Sequence, residues 1–199
     1  MTQRRKVDGR TEGRNGGRWG GLSVFASLRR SVRGRPLRLA ALLLPLAAAP
    51  LSAQFDAGIP VGSTAPAVTI NDLEGNPVDL GTVFGKKPVL LEFWATWCPI
   101  CKSLLPELDK VRRTFGDRVE LFGVNVTVND SKARTRRYMA EHHPPFRVLY
   151  DEKGAGARAF DVPATSFIVV VDRAGKVVYT GSGQDQDLVA AVRRALPGP

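Results

Sequence analysis

The 199-residue chain holds two cysteines, and they sit three positions apart in Trp97-Cys98-Pro99-Ile100-Cys101. Thiols at this spacing can form half of a zinc site, close a small structural loop, or cycle between dithiol and disulfide. Zinc needs four ligands, and the remaining candidates, His142 and His143, are adjacent and wrongly placed to chelate, so no metal is expected. A bond closing so short a loop removes little entropy from the unfolded chain and makes a poor staple. Redox exchange is the better use, with no cofactor beyond the Cys98–Cys101 pair itself. Pro99 fixes φ and withholds an N–H where a helix start has donors to spare, and the Pro99-Ile100 pair tunes the reduction potential. No cation lies between the cysteines to hold a thiolate, which favours a reductant.

Two elements must position this pair. Val89 to Trp94, VLLEFW, is a near-continuous apolar run, typical of a central strand covered on both faces. Lys102 to Phe115 has helical apolar spacing through Leu104, Leu105, Leu108 and Val111, with Pro106 as an expected kink. A strand running into the motif and a helix leaving it place Cys98 in the first helical turn. There the free N–H groups and the helix dipole favour a thiolate. Cys98 is then the nucleophile, and Cys101, one turn further in and expected to be more buried, resolves the mixed disulfide. Glu92 falls in the middle of the apolar strand, where an unpaired carboxylate is costly unless it takes up a proton. The alternative is an acid reaching solvent or a lysine such as Lys86. Trp94 and Trp97 are core and rim aromatics, and Trp97 is also placed to cover the disulfide and touch substrate.

The rest of the chain frames these elements. Val68-Thr69-Ile70 and Val78-Asp79-Leu80 flank a turn and read as an N-terminal hairpin. Val119 to Val126 is a second buried strand, Ser131 to His142 a polar basic helix ended by His143-Pro144-Pro145, and the two histidines read as cations at its C-terminus. Phe167 to Asp172 and Lys176 to Tyr179 form a second hairpin, and Gln186 to Leu196 a closing amphipathic helix. The order is β-hairpin, then β-α-β-α-β-β-α.

The net charge of +10 invites a nucleic-acid reading, but its distribution removes it. Residues 1–53 carry 11 of the 29 basic residues and two of the 19 acids, leaving 18 basic against 17 acidic in the remainder. The basic stretch precedes an apolar run, Leu39 to Leu51, and small residues, so residues 1–53 read as a secretory signal with cleavage after Ala53. Thirteen residues interrupted by Pro45 fall short of the ~20 needed to span a bilayer. An uncleaved anchor and a basic tail with a buried helix are the alternatives. Residues 54–66 read as a linker and 67–199 as the folded domain, expected to be monomeric and exported, periplasmic or extracytoplasmic, or membrane-tethered if the signal stays.

Leu91-Glu92-Phe93-Trp94-Ala95-Thr96-Trp97-Cys98-Pro99-Ile100-Cys101-Lys102, with Pro106 five residues beyond, resembles the thioredoxin superfamily, and within it the TlpA/ResA-like branch exported in bacteria. Val124-Asn125-Val126 and Asp172-Arg173-Ala174-Gly175-Lys176 are weaker matches. The resemblance implies a thioredoxin-like α/β fold, a central mixed β-sheet flanked by helices with an N-terminal β-hairpin extension. It places Glu92 where thioredoxin has a buried acid that exchanges protons with the resolving cysteine, here Cys101. It also implies a cis-proline opposite the motif that pairs with substrate. Val162-Pro163 is the candidate, although spacing from Gly175 alone puts Ser166 in that slot. The implied activity is thiol–disulfide exchange with protein substrates, commonly reduction of apocytochrome c cysteines, with electrons from a membrane thiol transporter. The competing activities are a thiol oxidase or isomerase and a peroxiredoxin-like peroxidase. Peroxiredoxins place Thr three residues before the reactive cysteine, where this chain has Ala95. A binding module on the same scaffold is argued against by the intact cysteine pair.

Overall fold

The computed structural model describes residues 58–196; the signal reading of 1–53 and the first part of the linker, 54–57, lie outside the described residues. The elements are β1 (Thr69–Asp72), β2 (Pro77–Asp79), α1 (Leu80–Phe84), β3 (Val89–Trp94), α2 (Pro99–Phe115), β4 (Glu120–Asn125), α3 (Lys132–His142), β5 (Arg147–Tyr150), α4 (Ala155–Ala159), β6 (Phe167–Val171), β7 (Val177–Ser182) and α5 (Leu188–Arg193). They build a thioredoxin-like fold around one seven-stranded mixed sheet in the order β2-β1-β5-β4-β3-β6-β7.

Local chemistry sets the element ends. Asp72 Oδ1 accepts from the amides of Glu74 and Asn76, at 3.1 and 2.9 Å, and so shapes the β1–β2 turn. Asp172 Oδ1 does the same for Ala174 and Lys176, both at 2.8 Å, where Gly175 adopts φ 73° in the β6–β7 turn. Ser131 caps α3 by accepting from the Arg134 amide at 3.2 Å. His143 ends that helix in the left-handed region and caps it through its backbone, donating its N–H to Met139 O.

β3 is the centre of the molecule. It runs parallel to β4 and antiparallel to β6, and all six of its residues are buried. Alternation along the strand sends Leu90 and Trp94 toward α2 and α5, against Leu104, Leu108, Val111, Leu188 and Val192. Val89, Leu91 and Phe93 face the opposite layer with Phe84, Phe122, Phe160 and Phe167. Coverage of both faces explains the unbroken apolar run.

Three elements go beyond the sequence reading: β5 and the five-residue helices α1 and α4. β5 joins the N-terminal hairpin to the sheet, pairing antiparallel with β1 and parallel with β4. α5 is six residues long and shorter than the expected span. The described part of the linker, residues 58–66, lies along the domain without becoming a strand. Its amides at Ile59, Gly62 and Ala65 donate to the carbonyls of Phe160, Val177 and Gly175.

Gly123 on β4 is registered beside Glu92, and a Cβ there would overlap the Phe146 ring. Phe146 therefore lies across β4 in space a side chain would fill. Gly123→Ala is expected to destabilise the fold by about 1–3 kcal/mol through overpacking, read as a lower urea midpoint at unchanged m-value.

Candidate active site

Cys98 is the N-cap of α2, with extended backbone (φ −82°, ψ 109°), and its Sγ accepts from the Cys101 amide at 3.1 Å. Pro99 follows in the first turn, as its fixed φ and missing donor suit. The two sulfurs are joined as a disulfide. Both cysteines are 3% exposed, so burial does not distinguish them in this state. Position does. Cys98 Sγ lies at the dipole's positive end beside a free amide, whereas Cys101 is inside the helix. A thiolate on Cys98 receives a charge-assisted hydrogen bond from that amide.

The segment carrying Cys98 is tied to the end of β4 by Asp130. Its carboxylate accepts from the Thr96 amide (2.9 Å), the Thr96 hydroxyl (3.0 Å), Asn125 Nδ2 (2.9 Å) and the Ser131 amide (2.9 Å). Asn125 Oδ1 in turn accepts from the Thr127 amide at 2.9 Å. Thr127 and Asn129 both take positive φ, 61° and 52°, which fixes the loop. That loop presents the Val128 carbonyl to Trp97 Nε1 at 2.7 Å. Sequence reasoning missed Asp130. The available signal was the Asn129-Asp130-Ser131 turn ahead of a helix, together with a buried asparagine at Asn125.

Glu92 lies on the face of β3 that carries Leu90 and Trp94, the layer that also contains Cys98 and Cys101. It is 1% exposed, and neither carboxyl oxygen has a hydrogen-bond partner among the described residues. It therefore reaches neither solvent nor Lys86. Its neighbours across the sheet explain this. Ile168 stands opposite on β6, and Gly123 on β4 leaves its place to the Phe146 ring. Burial pushes the Glu92 carboxyl up to about 8. Tyr138 of α3 packs on Trp94 with ring centroids 5.0 Å apart. Its hydroxyl is pushed up to about 12, first by burial and then by the Glu92 charge. Trp94 Nε1, two residues along from Glu92, is likewise buried and unpartnered.

Around the cysteines the surface is apolar. Trp97 (47%), Ile100 (42%) and Val128 (59%) are exposed large hydrophobic residues at the mouth of the site. Val162 and Pro163 lie in the loop between α4 and β6 and line a cavity of about 420 Å³ together with Trp97. The residue abutting β6 is Ser166, buried, with φ 62° and its Oγ accepting from the Gly183 amide at 3.2 Å. The β3–β6 ladder is unbroken from Val89–Val171 to Phe93–Phe167, so no bulge on that side carries Pro163 to the strand. Pro163 and Trp97 line the same cavity.

The sequence profile of the redoxin family matches residues 60–196. The chain belongs to the redoxin family. This redoxin is similar to thioredoxin-like protein YneN of Bacillus subtilis, 31% identical over 123 residues that make up 61% of this chain and 71% of YneN. It is also similar to the thiol-disulfide oxidoreductase ResA of the same organism, 32% identical over 123 residues, 61% of this chain and 67% of ResA. Among solved structures, the thioredoxin domain of a thiol-disulfide oxidoreductase from Bacteroides vulgatus matches with TM-score 0.60 at 25% identity, over 69% of this chain and 99% of that one. A putative thiol:disulfide interchange protein DsbE from Chlorobium tepidum matches with TM-score 0.58 at 25% identity, over 67% and 99%. With the Cys98–Cys101 pair at bonding distance, this redoxin is a thiol–disulfide oxidoreductase of the TlpA/ResA-like kind.

The raised Glu92 carboxyl makes stability depend on pH. Between its unfolded value of 4.5 and about 8, the folded chain keeps a proton that the unfolded chain has lost. Stability is therefore full below 4.5 and falls as pH rises through that window. Glu92→Gln is expected to flatten this fall and to leave the variant more stable than the wild type at pH 8, measured by urea unfolding across pH 4 to 9.

Proposed function

We propose that this redoxin acts outside the cytoplasm as a reductant of protein disulfides, with Cys98 attacking, Cys101 resolving and Glu92 storing the proton. The observation that carries the reading is the Cys98 sulfur at the α2 N-terminus, 3.1 Å from the Cys101 amide, above a layer that holds an unpartnered carboxyl. In the first step the Cys98 thiolate attacks a substrate disulfide, forming a mixed disulfide and releasing one substrate thiolate. Cys101 then gives its proton through water to the ionised form of Glu92 and attacks Cys98 Sγ, releasing the second substrate sulfur as a thiolate. Two electrons pass to the substrate, and the Cys98–Cys101 disulfide remains. A membrane thiol transporter resets it to the dithiol.

Direction and location rest on further features. No cation between the cysteines holds a thiolate, and the basic and apolar leader of residues 1–53 supports export. The resemblance to ResA-like proteins supports apocytochrome c cysteines as substrate. The exposed Trp97, Ile100 and Val128, with Val162 and Pro163 behind, give an apolar seat for an extended polypeptide. Peroxidase chemistry has weaker support, because the nearest threonine, Thr96, commits its hydroxyl to Asp130 at 3.0 Å.

Cys101→Ser is expected to accumulate mixed disulfides through Cys98, resolved by mass spectrometry; trapping through Cys101 in a Cys98→Ser variant instead would reverse the roles. The couple is expected near thioredoxin's potential of about −270 mV, and a value near DsbA's, about −120 mV, would make the protein an oxidant. Glu92→Gln is expected to slow resolution of the mixed disulfide and to remove a step near pH 8 from its pH profile.

A further inference from the structure

We infer that Arg158 selects substrates that carry an acidic side chain next to the exchanging disulfide. The inference rests on the exchange reading above and names the class of polypeptide that this site prefers. The cavity beside Trp97, about 420 Å³, is of the size that takes a ligand rather than a single water. Its walls are apolar, built by Trp97, Val126, Val128, Ala157, Val162 and Pro163. Arg158 is the one charged residue in the lining, and no acid shares it. A carboxylate entering beside the disulfide therefore meets attraction without a competing like charge.

The guanidinium lies close to the glycine that leads into α4. Gly154 is in the left-handed region, φ 63°, and a Cβ there would stand 3.0 Å from Arg158 Nη1. The side chain thus folds back toward the glycine, beside the cavity. The carboxylate closest in the chain that is buried, Asp151, is already taken by the amides of Gly156 (3.1 Å) and Ala157 (2.8 Å). Among the described residues the ion pairs are Lys87–Glu120, Lys110–Glu107, Lys132–Glu152 and Arg147–Asp72, and Arg158 enters none of them. A cation that lines an apolar cavity and enters none of these ion pairs, with the tryptophan beside the nucleophile as one wall, fits an apolar residue with a neighbouring Asp or Glu. A bidentate Arg–carboxylate pair adds orientation to attraction.

The test uses the reduced protein and two disulfide peptides of identical apolar sequence, one with Glu and one with Lys beside the cysteine. The readout is the ratio of their second-order exchange rates. At ~20 mM ionic strength the wild type is expected to favour the Glu peptide by about three- to fivefold, the range of a partly exposed ion pair. The ratio is expected to approach unity near 1 M salt, where charges are screened within ~3 Å. Arg158→Lys keeps the preference and Arg158→Glu reverses it. Arg173→Glu, in the β6–β7 turn, makes the same charge change outside the cavity lining and leaves the ratio in place. A wild-type ratio of one, a ratio unmoved by Arg158→Glu, or an equal shift in Arg173→Glu each overturns the inference. Failure of both peptides to exchange at all would instead remove the exchange reading itself.

Discussion

The hydrogen bond from the Cys101 amide to the Cys98 sulfur depends on where β3 stops. The strand leaves the sheet at Trp94, turns through Ala95-Thr96-Trp97, and delivers Cys98 as the residue whose sulfur meets the open end of α2. A residue more or less in that turn would put another atom there. The turn is held from outside by Asp130, which binds the Thr96 amide and hydroxyl while also binding Asn125 at the end of β4. The two parallel strands are thus clamped at their carboxyl ends, and the helix dipole has a fixed target. The same clamp positions Val128, and through its carbonyl the Trp97 ring. One carboxylate thus holds both the turn ahead of Cys98 and the loop that meets Trp97.

Glu92 works against this economy. A carboxyl group among Ile168, Phe146 and the α2 layer is stabilising to nothing around it, and its burial favours the protonated form. The surroundings are arranged to keep it so. Gly123 cedes its side-chain space to Phe146, β3 is buried along its whole length, and neither carboxyl oxygen has a hydrogen-bond partner among the described residues. A group whose protonation changes near neutral pH is useful where thiols must gain and lose protons, and a well-satisfied core would hold no such group.

What was legible in the sequence follows from how strongly each feature is written locally. β3 and β4 are long apolar runs, and α2 and α3 carry their period or their cap, so they were found close to their observed bounds. The cysteine pair and Glu92 stand out because residue type conflicts with, or punctuates, its surroundings. β5 was missed because it has four residues, Arg147-Val148-Leu149-Tyr150, too few to show a period, and its role is to pair with strands distant in the chain. α1 and α4 have five residues each and owe their existence to Asp79 and to the Asp151 carboxylate at their starts. Asp130 was invisible for a related reason: its partners Thr96 and Asn125 are 34 and 5 residues away, and only the fold brings them together. The opposite wall was ambiguous because Ser166, not a proline, abuts β6.

The segment ahead of β1 has a bearing on solubility. Gly62 and Ser63 exchange backbone hydrogen bonds with Val177, and Thr64 bridges to Lys176, so the start of the outermost strand β7 is already occupied. At the other border of the sheet, β2 is three residues long and begins with Pro77, which has no amide to offer. Short, covered or proline-bearing borders are how sheets avoid polymerising with extended chains. An oxidoreductase that exchanges disulfides with protein thiols gains from this. An extended chain that comes up to the sheet finds the start of β7 taken and a proline at the start of β2.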